Sequence, residues 1–174
     1  MTSYVALLRG INVGGHRRIA MADLRALFED LGLGETRTHI QSGNVLFLSD
    51  RGAEALSPII RDAITTAFGF EVPVMIRSRA ELADVARAHP LRGPGAEPTA
   101  LMVAFLDRVT DANLDPETYL PDRFALAGRH VYLRYANGSA RSKLTNTTIE
   151  AKLGVICTIR SWPTVRKLAA LMGG

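Results

Sequence analysis

The chain has 174 residues, 47% hydrophobic and 22% charged, with a net charge of +4 and one cysteine, Cys157. That length can bury a core in one domain or two small ones, and the balance excludes a disordered chain. No apolar run approaches a membrane span, no basic segment leads into an apolar leader, and one cysteine rules out an internal disulfide framework. A reducing cytoplasm is therefore the expected location.

Val5-Ala6-Leu7-Leu8 reads as a buried strand. Met21, Leu24, Leu27, Phe28 and Leu31 then recur at helical spacing until Gly32 and Gly34 end the run. Thr36 to Gln41 alternates, Ser42-Gly43-Asn44 is turn chemistry, and Val45 to Leu48 resumes an extended segment, which together predict a hairpin. On its first strand Arg37, His39 and Gln41 share parity, so they are expected on one sheet face. Because helices cover only one face of such a sheet, that second face is expected to be open and polar, which suits a binding surface or a seam between the halves. A second helix carries Leu56, Ile59, Ile60, Ile64, Ala67 and Phe68, stops at Gly69, and leads to a strand over Val72 to Ile76. The order β-α-β-β-α-β predicts a ferredoxin-like half.

A helix over Ala80 to Arg87 follows, and the Pro/Gly-rich segment 89–99 reads as a linker. Beyond it come a strand over Ala100 to Leu106, a short helix within Asp111 to Leu120, and a hairpin of Arg123–Leu126 with His130–Tyr135. A helix over Ser142 to Leu153 ends at Gly154, and Thr158 to Arg160 is a short strand. Trp162, Val165, Leu168, Ala169 and Met172 complete an amphipathic last helix capped by Ser161. The expected architecture is an α+β duplication of ferredoxin-like βαββαβ halves with an added C-terminal helix. The halves span residues 1–88 and 100–174, and the second echoes the first in order though not in visible sequence.

The segment Leu8-Arg9-Gly10-Ile11-Asn12-Val13-Gly14-Gly15-His16-Arg17-Arg18 carries the most chemistry. Three glycines and an asparagine accept positive φ, so amide groups can converge, and basic side chains surround them with no acid before Asp23. A strand, a glycine turn and surplus positive charge suit an anion. Gly10 and Gly15 have P-loop spacing, but His16 and Arg17 stand where lysine and a magnesium-binding hydroxyl belong, which argues against a nucleotide triphosphatase. The helix opens several residues late, which is expected to keep its N-terminus away from an anion in the loop. Asn12 likewise breaks the dinucleotide-binding pattern.

Three segments resemble the domain of unknown function 1697 family across the whole chain. They are Tyr4-Val5-Ala6-Leu7-Leu8-Arg9-Gly10-Ile11-Asn12-Val13-Gly14-Gly15, Ile40-Gln41-Ser42-Gly43-Asn44-Val45 and Thr158-Ile159-Arg160-Ser161-Trp162-Pro163-Thr164-Val165. The resemblance implies two ferredoxin-like halves in a bacterial-type cytoplasmic protein, and it brings no established activity, cofactor or catalytic residue. In that family the position of His16 is often lysine and that of Ser161 often asparagine; both changes keep the apparent role.

From Arg123 to Gly174 nine arginines and lysines face Glu150 alone, a surplus of eight. A solvated basic face explains this as well as a polyanion partner does. The histidines lack i, i+4 pairing or a cysteine partner, so no metal site is expected, and Cys157 reads as a buried structural thiol. Two functions from different classes stand. One is binding or turnover of a small phosphorylated or carboxylated metabolite in a cleft between the halves, through Arg9, Asn12, Gly14, Gly15, Gln41, Asn44, Thr158 and Arg160. The other is a nucleic-acid or polyanion module built on the basic C-terminal third, although aromatics, at 6%, are sparse for a stacking platform. No catalytic residue or cofactor is assigned.

Overall fold

A computed structural model describes residues 1–173. The chain divides into two compact units, Met1–Ala83 joined by the chain from Leu168 onward, and Asp84–Lys167. The first unit runs β1 (Thr2–Leu8), α1 (Met21–Asp30), β2 (Gly34–His39), β3 (Asn44–Ser49), α2 (Ala53–Phe68) and β4 (Val74–Ser78). Helix α3 (Arg79–Arg87) crosses the unit boundary. The second unit runs β5 (Leu101–Leu106), a 3-10 turn (Pro116–Tyr119), β6 (Arg123–Ala127), β7 (His130–Arg134), a 3-10 turn (Ser139–Arg141), α4 (Asn146–Leu153) and β8 (Cys157–Ser161). Helix α5 (Trp162–Leu171) closes the chain. Both sheets are four-stranded and antiparallel, in the orders β2-β3-β1-β4 and β6-β7-β5-β8. The duplicated arrangement is therefore present, with a 3-10 turn in place of the first helix of the second half.

Periodicity explains the first core. Tyr4, Ala6 and Leu8 of β1 and Val45 and Phe47 of β3 meet Leu24, Leu27 and Phe28 of α1 and Leu56, Ile60 and Ile64 of α2. Phe47 stacks on Tyr4 and meets the edge of Phe28, with centroids 5.8 and 5.4 Å apart. The alternate residues form the other face. There Val5 and Leu7 are 0% exposed, and Leu46 and Met75 are also buried. The expectation of an open polar face is therefore corrected. Arg37 and His39 do share that face, through the register pairs Arg37↔Leu46 and His39↔Asn44, but only at its edge. A strand buried on both sides reads as the continuous apolar run seen in β1.

Several boundaries shift for local reasons. β2 ends at His39, so Gln41 lies in the turn beyond it. β4 starts at Val74 because Pro73 has no N–H for the ladder; its carbonyl accepts from Arg9 N at 3.0 Å instead. α4 starts at Asn146, four residues late. Ser142 Oγ is engaged by Leu144 N, and Thr145 Oγ1 takes the cap by accepting from Thr148 N.

The halves share a motif not visible as a repeat at first reading. β4 ends Ile76-Arg77-Ser78 and β8 ends Ile159-Arg160-Ser161. Arg77 pairs with Val5 of its central strand, and Arg160 pairs with Val103 of its own. Each Nη1 donates to the preceding carbonyl, Ile76 O at 2.9 Å and Ile159 O at 3.1 Å. Each serine then caps a helix: Ser78 exchanges hydrogen bonds with Glu81 in a capping box, and Ser161 Oγ accepts from Thr164 N.

Candidate functional site

The loop after β1 folds into a miniature hairpin. Asn12 N donates to Arg17 O, His16 N donates to Val13 O, and Gly14 and Gly15 form the tip with φ of 61° and 78°. Two consecutive positive φ values define the type I′ turn, for which glycine is the residue without a steric penalty. The Asn12 side chain closes the base. Its Oδ1 accepts from Ile19 N at 2.9 Å, and its Nδ2 donates to Ile19 O at 3.0 Å and to Gln41 O at 2.8 Å. Both amide hydrogens are thereby used, so Asn12 builds the site and has none left for a ligand.

Gln41 is reached because the β2–β3 turn packs tightly on the loop. Gly43 has φ of 83°, Leu8 N donates to its carbonyl, and a Cβ there would stand 2.8 Å from both Leu8 Cβ and Ile11 Cδ1. Asn44 braces the same turn from a fully buried position, with Nδ2 donating to His39 O and Ser42 Oγ. The turn includes Ile40 at φ 52°, a β-branched residue in the left-handed region, with half its surface exposed.

Asn12, Gly15, Arg18, Ile19, Ala20, Met21 and Gln41 line a cleft of about 450 Å3 within the first unit. The expectation that the helix stands too far along the chain is corrected here. The small hairpin consumes the intervening residues and returns the chain, so the start of α1 joins Gly15 at one cleft. Ala20 is the N-cap and no side chain caps the helix. The first turn of α1 thus meets the cleft without a side-chain cap, and its one acid is Asp23. Arg18 adds a full charge, and His16 and Arg17 are exposed beside it in the loop.

Of the residues singled out from sequence, Asn12, Gly15 and Gln41 line this cleft. Gly14 forms the hairpin tip and Asn44 supports the turn. Arg9 is partly buried, with its main chain tied to Pro73. Thr158 and Arg160 belong to the second unit, where Arg160 Nη1 donates to Thr158 Oγ1 at 2.7 Å. Burial lowers the Arg160 pKa to about 10, so the guanidinium stays charged at neutral pH. Sequence reasoning left Arg18, Ile19, Ala20, Met21 and Gly43 out of the site. An alanine where a helix N-cap usually carries an oxygen was the one available signal.

Elsewhere, His89 is buried between Tyr132 and Trp162. Nδ1 accepts from Leu91 N, which assigns the proton to Nε2, 3.0 Å from Met102 O. Burial lowers its pKa. Cys157 is buried with its thiol on Asn146. Among the described residues no group of three or more His, Cys, Asp or Glu is placed to hold a metal. No helix among them is long and apolar enough to cross a membrane.

The profile of the family described as protein of unknown function (DUF1697) matches residues 1–132. No functionally curated protein matches the chain. Among solved structures, the conserved bacterial protein SP0830 from Streptococcus pneumoniae is similar with a TM-score of 0.70 at 20% identity, covering 98% of each chain. At that identity the likeness concerns the fold.

Proposed function

The chain belongs to the DUF1697 family, and from that premise we propose that it binds a small anionic metabolite, phosphorylated or carboxylated, in the cleft beside the glycine loop. The observation that carries this reading is the N-terminus of α1, without a side-chain cap, opening beside Arg18 on a cleft of about 450 Å3. An anion there would take amide hydrogens from the first turn of α1 and a charge-assisted bond from Arg18. The apolar lining by Ile19 and Met21 suits a ligand whose anionic group is joined to a carbon skeleton.

A polymer is the weaker reading. Nucleic-acid platforms on ferredoxin-like sheets stack bases on exposed aromatics, whereas here the corresponding face of the first sheet carries buried Val5, Leu7, Leu46 and Met75. Calorimetric titration with phosphate monoesters and short carboxylates tests the proposal. Saturable binding weakened at least tenfold by Arg18→Glu is the expected result. Equal affinity of the parent and this variant for every anion rejects it.

A further inference from the structure

The second unit carries an independent candidate site. Arg123 on β6 and Arg134 on β7 are directly opposite in the strand register. Both side chains line a cleft of about 420 Å3 that also includes Glu97. Two like charges facing each other across a strand pair repel, and an antiparallel sheet normally places an acid or a neutral residue at one of the two positions.

No local acid among the described residues is paired with either arginine. Among the described residues neither Glu97 nor Asp122 forms an ion pair with either arginine. Asp122 is buried, and its Oδ1 accepts from Ala136 N at 2.8 Å, which commits it to the turn after β7. Beyond the strand ladder, the Arg123 side chain makes no hydrogen bond among the described residues, and that of Arg134 makes a single long one, from Nη1 to Leu91 O at 3.5 Å. Two guanidinium forks therefore stand on one wall of a cleft with most of their donors unused.

We propose that this cleft is a second anion site, selective for a phosphate monoester, and that it is independent of the cleft beside the glycine loop. A phosphate monoester carries close to two negative charges at pH 7 and three acceptor oxygens. It can therefore accept from both guanidinium groups at once and cancel their repulsion, whereas a carboxylate brings one charge. The volume admits a small phosphorylated molecule.

The test is a titration of the full chain, 15N-labelled, with phenyl phosphate at constant ionic strength, reading the Nε–Hε resonances of Arg123, Arg134 and Arg18 separately. Saturable movement of Arg123 and Arg134 is expected, with affinity at least tenfold above that for benzoate. Arg123→Gln should abolish the response at Arg134 and leave that at Arg18 unchanged. In phosphate-free buffer the same variant should melt at or above the parent temperature, because a repulsion is removed. Shifts that sodium chloride reproduces, or a response at Arg134 that survives Arg123→Gln, would overturn the proposal. So would binding of a single-stranded oligonucleotide, but not of phenyl phosphate, at these arginines. A silent Arg18 beside responsive Arg123 and Arg134 would count against the first cleft alone.

Discussion

Asn12 Nδ2 donates to the main-chain carbonyl of Gln41 at 2.8 Å, tying a loop after the first strand to a turn twenty-nine residues later. That bond turns two glycine-containing segments into the walls of one cleft. Asn12→Ala removes it together with the two bonds to Ile19, leaving partly buried backbone groups without partners. The expected loss is about 2–4 kcal/mol in urea denaturation. Asn12→Asp should fail to restore stability, since it keeps the acceptor for Ile19 N but sets a carboxylate against two carbonyls. Recovery by aspartate would contradict this bonding pattern.

Glycine substitutions should separate strain from collision. Gly14 and Gly43 both have positive φ, but a Cβ at Gly14 meets nothing within 4 Å, whereas one at Gly43 strikes Leu8 and Ile11. Gly14→Ala should cost about 1–2 kcal/mol, and Gly43→Ala about 2–4 kcal/mol because overpacking adds to strain. Equal costs, measured side by side, would show that the β2–β3 turn can yield.

The buried arginine of the second half depends on its acceptors. Thr158 Oγ1 lies 2.7 Å from Arg160 Nη1, and replacing it by the isosteric Thr158→Val withdraws that acceptor from a buried cation. A loss of about 1.5–3 kcal/mol is expected. It should shrink markedly when Arg160→Met is present as well, which a double-mutant cycle measures.

His89 gives the stability curve a defined slope. Its folded pKa lies below the usual 6.5, first because burial disfavours the cation, with the hydrogen bond to Met102 only partly opposing that. The sign follows directly. Below pH 6.5 the unfolded chain takes up a proton that folded His89 resists, so stability falls with falling pH until the folded pKa is reached. Above pH 6.5 the contribution is constant. Melting temperatures from pH 5 to 8 should show this slope in the parent and a shallower one in His89→Gln; identical slopes would remove His89 as its source.

The element order was legible because periodicity reports burial. Leu24, Leu27 and Phe28 mark a helix face, and the run Val5 to Leu8 marks a strand covered on both sides. What stayed hidden depends on tertiary placement. Ser42-Gly43-Asn44 reads as any hairpin turn until Ile11 and Leu8 are seen against Gly43. The polar parity of Arg37 and His39 belongs to an edge strand, and it misled about the centre of that face, where Val5 and Leu7 lie. Ile-Arg-Ser is too short to count as a repeat until both arginines are found on matching strands. The start of α1 reads as distant from the glycines in sequence, because its proximity depends on both tip residues adopting positive φ.

The most direct test of an anion cleft beside the glycine loop is a backbone amide titration with phenyl phosphate at fixed ionic strength. The N–H resonances of Gly15, Met21 and Ala22 should move together and saturate at one dissociation constant, and Arg18→Gln should weaken that constant at least tenfold without moving the melting temperature. Resonances of these three residues that stay in place while amides elsewhere respond would contradict the account.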